Sequence, residues 1–84
     1  MTTIYKIMDG DTMKCYCDTE EMAQTMLLRV KEEKKRIAEL TAAGVPTVLL
    51  EDKLRLKRLC IDMNIEHTLD ISDVEGVTIV AVEI

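Results

Sequence analysis

The chain has 84 residues, 48% of them apolar and 32% charged, with a formal net charge of −5. Those proportions exclude fibrous, collagen-like and highly charged disordered classes, and the length suits one small domain over residues 1–84. With two Tyr and no Phe or Trp, the core must be Leu, Ile, Val and Met, and the stacking platforms of single-stranded nucleic-acid binders are missing.

In chain order, "TIYKIMDGDTMKCYC" predicts a hairpin turning at Asp9-Gly10, because glycine accepts the positive φ of a tight turn. Period-two alternation puts Met13, Cys15 and Cys17 on one face of the second strand and Thr12, Lys14 and Tyr16 on the other; Tyr5 and Ile7 of the first strand are assigned to the same core as the apolar trio. Next, "DTEEMAQTMLLRVKEEKKRIAELTAAG" reads as a long helix. Asp18 is its expected cap, with Glu21 three residues on. Met22, Met26, Leu27, Val30, Ile37 and Leu40 form its apolar stripe, and Gly44 and Pro46 end it. The charged middle, "KEEKKR" at 31–36, interrupts that stripe and is expected to face water or a partner. A second helix from about 48 to 63, with Thr47 as cap, is preferred over a strand through the alternating "KLRLK". Finally "HTLDIS" and "GVTIVAVEI" read as strands on either side of a turn at Asp73–Gly76. The expected fold class is α+β, in the order ββααββ, with an antiparallel sheet packed against one long and one shorter helix.

The motifs for chemistry are sparse. Cys15 and Cys17 stand two apart on one strand, with Cα atoms about 6.6 Å apart and parallel Cβ directions, a poor disulfide geometry. The alternative of a zinc-stabilised domain would draw on Cys15, Cys17, Cys60 and His67, but no second close-spaced pair accompanies the first, and packed thiols are the expectation. His67 has no nucleophile or orienting acid marked beside it, and Gly10, Gly44 and Gly76 are scattered rather than gathered in a phosphate loop. The expectation is a protein that is not an enzyme, with no catalytic residue, cofactor or metal. No charged-then-apolar leader and no run of 18 apolar residues occurs, and three cysteines fit reduced thiols, so a soluble cytoplasmic protein without membrane contact is expected.

Charge is unevenly spread. Residues 1–28 carry −3; residues 29–58, with nine cations and five anions, carry +4; residues 59–84 carry −6 with no Lys or Arg at all. The basic run Lys53, Arg55, Lys57 and Arg58 supports an alternative reading as a nucleic-acid binder, against which the overall negative charge and the missing aromatics count. The acidic block reads either as a solvated outer face or as an anionic surface for a basic cleft on another protein. In size and sign of charge alone, the chain resembles the small stand-alone inhibitors that phages encode, anti-CRISPR proteins among them. The expected function is a protein-interaction module, an inhibitor or adaptor that blocks a partner protein through an acidic surface, with a nucleic-acid-binding protein as one such partner. Its expected contact residues are Glu66, Asp70, Asp73 and Glu75 of the acidic block and Glu32, Glu33, Lys35 and Arg36 of the long helix. Because that helix outruns a small sheet, a homodimer formed partly through the helices is expected as well.

Overall fold

A computed structural model describes residues 2–84. Strands β1 (Thr3–Asp9) and β2 (Thr12–Cys17) form the expected hairpin, with Gly10 at φ +59 in its turn. Helix α1 spans Glu20–Ala42, a 3-10 turn spans Thr47–Leu50, and α2 spans Lys53–Asp62. A second 3-10 turn covers Glu66–Thr68 before the closing strand β3 (Val77–Glu83). The protein is therefore a small α+β fold with an antiparallel sheet of three strands in the order β2-β1-β3.

The ββααββ order fails at one strand. "HTLDIS" forms no strand: it begins as the 3-10 turn, and the Asp70 side chain then accepts the Ser72 amide at 2.9 Å. That local side-chain bond competes with a sheet ladder for the same backbone, as Asp commonly does. The second predicted helix is also divided. Thr47 makes no side-chain cap; Asp52 does, accepting from the amides of Leu54 and Arg55 at 3.0 and 3.3 Å. Likewise α1 is capped by Thr19, whose hydroxyl accepts the Met22 amide at 3.2 Å, rather than by Asp18.

The chain divides into two compact units. The first holds the residues up to Lys31 and Val74–Ile84: the sheet and the first part of α1. Its core is Ile7, Cys17, Ala23 and Val77, with Tyr5, Cys15, Met26, Leu27, Val30 and Ile79 packed around them. Tyr5, Ile7, Cys15 and Cys17 face inward as expected, and Ala23 takes the core place assigned to Met22, which is exposed. The second unit, Glu32–Asp73, has its own core of Leu40, Leu50, Leu56 and Cys60, flanked by Ile37, Val45, Leu59 and Ile65. The shorter helix therefore buries its apolar stripe in this second core, not in that of the sheet.

Both helices of the second unit end in the same motif. After α1, Gly44 at φ +88 lets Val45 donate to the Leu40 carbonyl and Gly44 to that of Thr41. After α2, Asn64 at φ 60 takes the left-handed position, with Ile65 donating to Cys60 and Asn64 to Ile61. These are Schellman closures, one built on Gly and one on Asn.

Candidate functional site

Two groups of residues compete as a functional surface. The first contains most of those singled out in the sequence. On α1, the Arg36 Nε donates to both carboxylate oxygens of Glu66, at 2.6 and 3.1 Å, and its Nη2 donates to Glu32 at 3.2 Å. Lys35 donates to Asp73 at 2.7 Å and pairs with Glu39 at 3.4 Å; Lys53 approaches Glu33 at 3.8 Å. Six of the eight predicted contact residues thus lie in three separate sets of ion pairs within the second unit: Arg36 with Glu66 and Glu32, Lys35 with Asp73 and Glu39, and Lys53 with Glu33. The "KEEKKR" segment is not a free face, because the Lys35 and Arg36 side chains are only 19% and 14% exposed. Two of these pairs, Arg36–Glu66 and Lys35–Asp73, hold the irregular 66–73 segment to the helix. Asp70 instead supports the local turn through Ser72, and Glu75 belongs to the first unit.

The electrostatics follow from these contacts. The Arg36 guanidinium, bonded to Glu66, holds that carboxyl below the ordinary glutamate range, and the Ser72 amide does the same for Asp70. Glu66 and Asp73 in turn raise Arg36 and Lys35. Burial pushes the Cys60 thiol up, so it is a packed thiol and not an activated nucleophile. Cys15 and Cys17 lie in the first unit and Cys60 and His67 in the second; among the described residues no group of three or more His, Cys, Asp or Glu is placed to hold a metal ion. An open hollow on α1, lined by Glu21, Met22, Thr25, Met26 and Arg29, has no buried polar group pointing into it.

The second group is the outer face of the sheet, which the sequence reading missed. The β1–β2 register runs from Ile7↔Cys15 directly to Met8↔Met13, leaving Lys14 as the extra residue of a bulge. A bulge resets the alternation of a strand. Met13 therefore leaves the Cys15 face, where strict alternation had put it, and joins Tyr16. Directly opposed residues share a face, so the registers assemble Ile4 and Val82; Lys6, Tyr16 and Val80; and Met8, Met13 and Thr78 on one side of the sheet. Six of these eight side chains are apolar. Tyr16 is 63%, Met13 48% and Val80 44% exposed. The sheet core that buries Ile7 and Val77 is on the opposite side.

An antiparallel sheet with one wet face ordinarily shows polar residues there. This one does not; carboxylates stand just beyond the strand ends instead, Asp11 in the hairpin turn and Asp18 after β2, while Asp9 and Glu83 fall on the Ile7 side by the same register. In the first unit seven carboxylates (Asp9, Asp11, Asp18, Glu20, Glu21, Glu75, Glu83) stand against four cations (Lys6, Lys14, Arg29, Lys31), a net of −3.

The basic run resolves as part of α2. Lys53, Arg55, Lys57 and Arg58 are exposed beside Leu54 and Ile61, while Leu56 and Cys60 point into the core. Among the described residues no helix is long and apolar enough to cross a membrane. Compared with known proteins, the chain matches no family model, no curated sequence and no solved structure.

Proposed function

We propose that this protein works by occupying a surface on another protein, as an inhibitor or adaptor, and that it does so with the outer face of its sheet. The observation that supports the reading is the composition of that face: Ile4, Met8, Met13, Tyr16, Val80 and Val82 on one side of the sheet, with Met13, Tyr16 and Val80 among the most exposed apolar side chains of the first unit. Contiguous exposed apolar surface in a small protein is a common mark of a docking site. The methionines adapt to an irregular partner, and Tyr16 offers a large contact area with a polar tip.

The partner's chemistry follows from the rim. Carboxylates at both ends of an apolar face call for an apolar patch bordered by Lys and Arg, the ordinary arrangement of a dry centre and a charged margin. A net charge of −5 also favours rapid encounter with such a protein, in a salt-dependent way. Glu66, Glu32 and Arg36 are engaged with one another, as are Asp73 and Lys35, and Glu33 approaches Lys53, so their charges are already partnered within the chain.

The test is differential capture from the native host. Wild type is compared with Met13→Lys/Tyr16→Lys, with Asp70→Lys/Asp73→Lys/Glu75→Lys, and with Lys53→Glu/Arg55→Glu/Lys57→Glu. A partner retained by the last two and lost at least tenfold by the first supports the sheet face. Loss with the acidic triple alone returns the contact to residues 66–75. Loss with the basic triple alone, together with salt-sensitive retention on immobilised nucleic acid, favours the nucleic-acid reading.

A further inference from the structure

The two edges of the sheet are not alike. β2 carries a bulge and a lysine at the same position, Lys14, two devices that keep an edge from pairing with another strand. β3 carries neither. Its register against β1 is unbroken from Asp9↔Val77 to Thr3↔Glu83, and its sequence, VTIVAVE, has no Pro, no Lys and a single charge at its end.

The direction of its free hydrogen-bonding groups can be read from the ladder. Thr2 and Ile84 exchange both backbone bonds, and Gly10 donates to Gly76. In an antiparallel pair such bonded positions recur every second residue. Thr78, Val80 and Val82 therefore turn their N–H and C=O groups toward β1. Val77, Ile79, Ala81 and Glu83 turn theirs outward, and none of the four has a backbone partner there among the described residues.

We infer that β3 pairs antiparallel with the β3 of a second copy, about a two-fold axis through Val80, to give a continuous six-stranded sheet. Only registers that oppose outward-facing residues satisfy both strands. Centring on Val80 places Ile79 against Ala81 and Val77 against Glu83, in both directions, and engages every outward group of both strands. The charges agree. Each Glu83 falls opposite a valine, and the two Glu83 stand roughly 20 Å apart at about 3.4 Å per residue, beyond the screening length of about 8 Å in physiological salt. A foreign strand could use the same edge, but the phase, the register and the placement of the single charge are all satisfied by the chain itself. This goes beyond the proposed function: it joins two outer faces side by side and leaves Met13 and Tyr16 uncovered.

A ladder of this length buries less than the about 1,200 Å² of a standard interface, so the dimer is expected to be concentration-dependent. Light scattering from low micromolar to millimolar protein should rise from the 9.5 kDa of one chain toward twice that value. Register is read by crosslinking. Val80 sits at a pair without hydrogen bonds, where Cα atoms approach to about 4.5 Å, within disulfide range. Under mild oxidation Val80→Cys should form a covalent dimer at least tenfold faster than wild type or Tyr16→Cys, which lies on the same face but on the guarded edge strand. Ala81→Pro removes an outward N–H that no intrachain bond uses and should abolish both association and Val80→Cys crosslinking. Val80→Lys, which opposes two cations at the axis, is the second variant should the proline disturb folding; it too should be monomeric. A mass of 9.5 kDa throughout the series overturns the inference. So does a dimer that crosslinks no faster through position 80 than through position 16. Loss of host-partner capture by Met13→Lys/Tyr16→Lys with the dimer intact separates the two proposals.

Discussion

Glu66→Ala removes the Arg36 contact, one of two that tie the 66–73 segment to the centre of α1, and leaves Lys35–Asp73 in place. Arg36 and Glu66 are 14% and 22% exposed, and two of their contacts are 2.6 and 3.1 Å long. Fully exposed pairs contribute about 0.2–1 kcal/mol, whereas hydrogen bonds to charged groups away from water contribute about 1.5–3. Partial burial places this pair between those ranges, and Glu32 at 3.2 Å retains some of the guanidinium's partners after truncation. The expected loss is about 2 kcal/mol, or a Tm lower by about 10 °C for a domain of this size. Thermal and urea unfolding followed by circular dichroism, with Arg36→Met and the double variant, closes a cycle that isolates the pair. The pH dependence gives a second handle. Because Arg36 lowers the Glu66 pKa, the pair's stabilisation is fully present above the ordinary glutamate value of about 4.3 and disappears as pH falls through the lower folded value. The stability advantage of wild type over Glu66→Gln should therefore be constant near neutrality and shrink below about pH 4. A coupling below about 0.5 kcal/mol, or a difference that ignores pH down to acid unfolding, would refute this account of the segment.

Two further predictions concern the cores and the caps. Asn64→Gly should raise stability by about 0.5 kcal/mol in urea titrations, since glycine holds the left-handed position without a Cβ penalty, while Asn64→Ala should lower it. Cys15→Ala/Cys17→Ala should lower stability by about 1–3 kcal/mol, and EDTA should leave wild-type unfolding unchanged; a chelator-sensitive transition would show that the thiols hold metal.

The hairpin, the long helix and their inward faces were legible because each rests on a local signal: Asp9-Gly10 for the turn, apolar spacing from Met26 to Leu40 for the helix. The failures have separate physical causes. Period-two reading cannot register a bulge, because the extra residue at Lys14 is defined only by the partner strand; Met13 was therefore put on the wrong face. In "HTLDIS" the expected strand rests on its place before the Asp73–Gly76 turn, and the Asp70 side chain wins the backbone instead. The ion pairs of Lys35 and Arg36 with Asp73 and Glu66 join residues 30 or more positions apart, which no spacing rule connects. The outer face did leave a trace. In "TIVAVE", Val80 and Val82 on one side match Ile79 and Ala81 on the other, the two-sided apolar pattern of a strand that is covered on both faces.

Site-specific photocrosslinking asks most directly which surface meets the partner. A photoreactive amino acid is placed at Tyr16, on the uncovered face, or at Asp70, in the acidic segment, and each protein is irradiated in host extract. The account predicts a discrete adduct from position 16 that wild type competes away and that Met13→Lys weakens, with none from position 70. An adduct from position 70 and none from position 16 would contradict it.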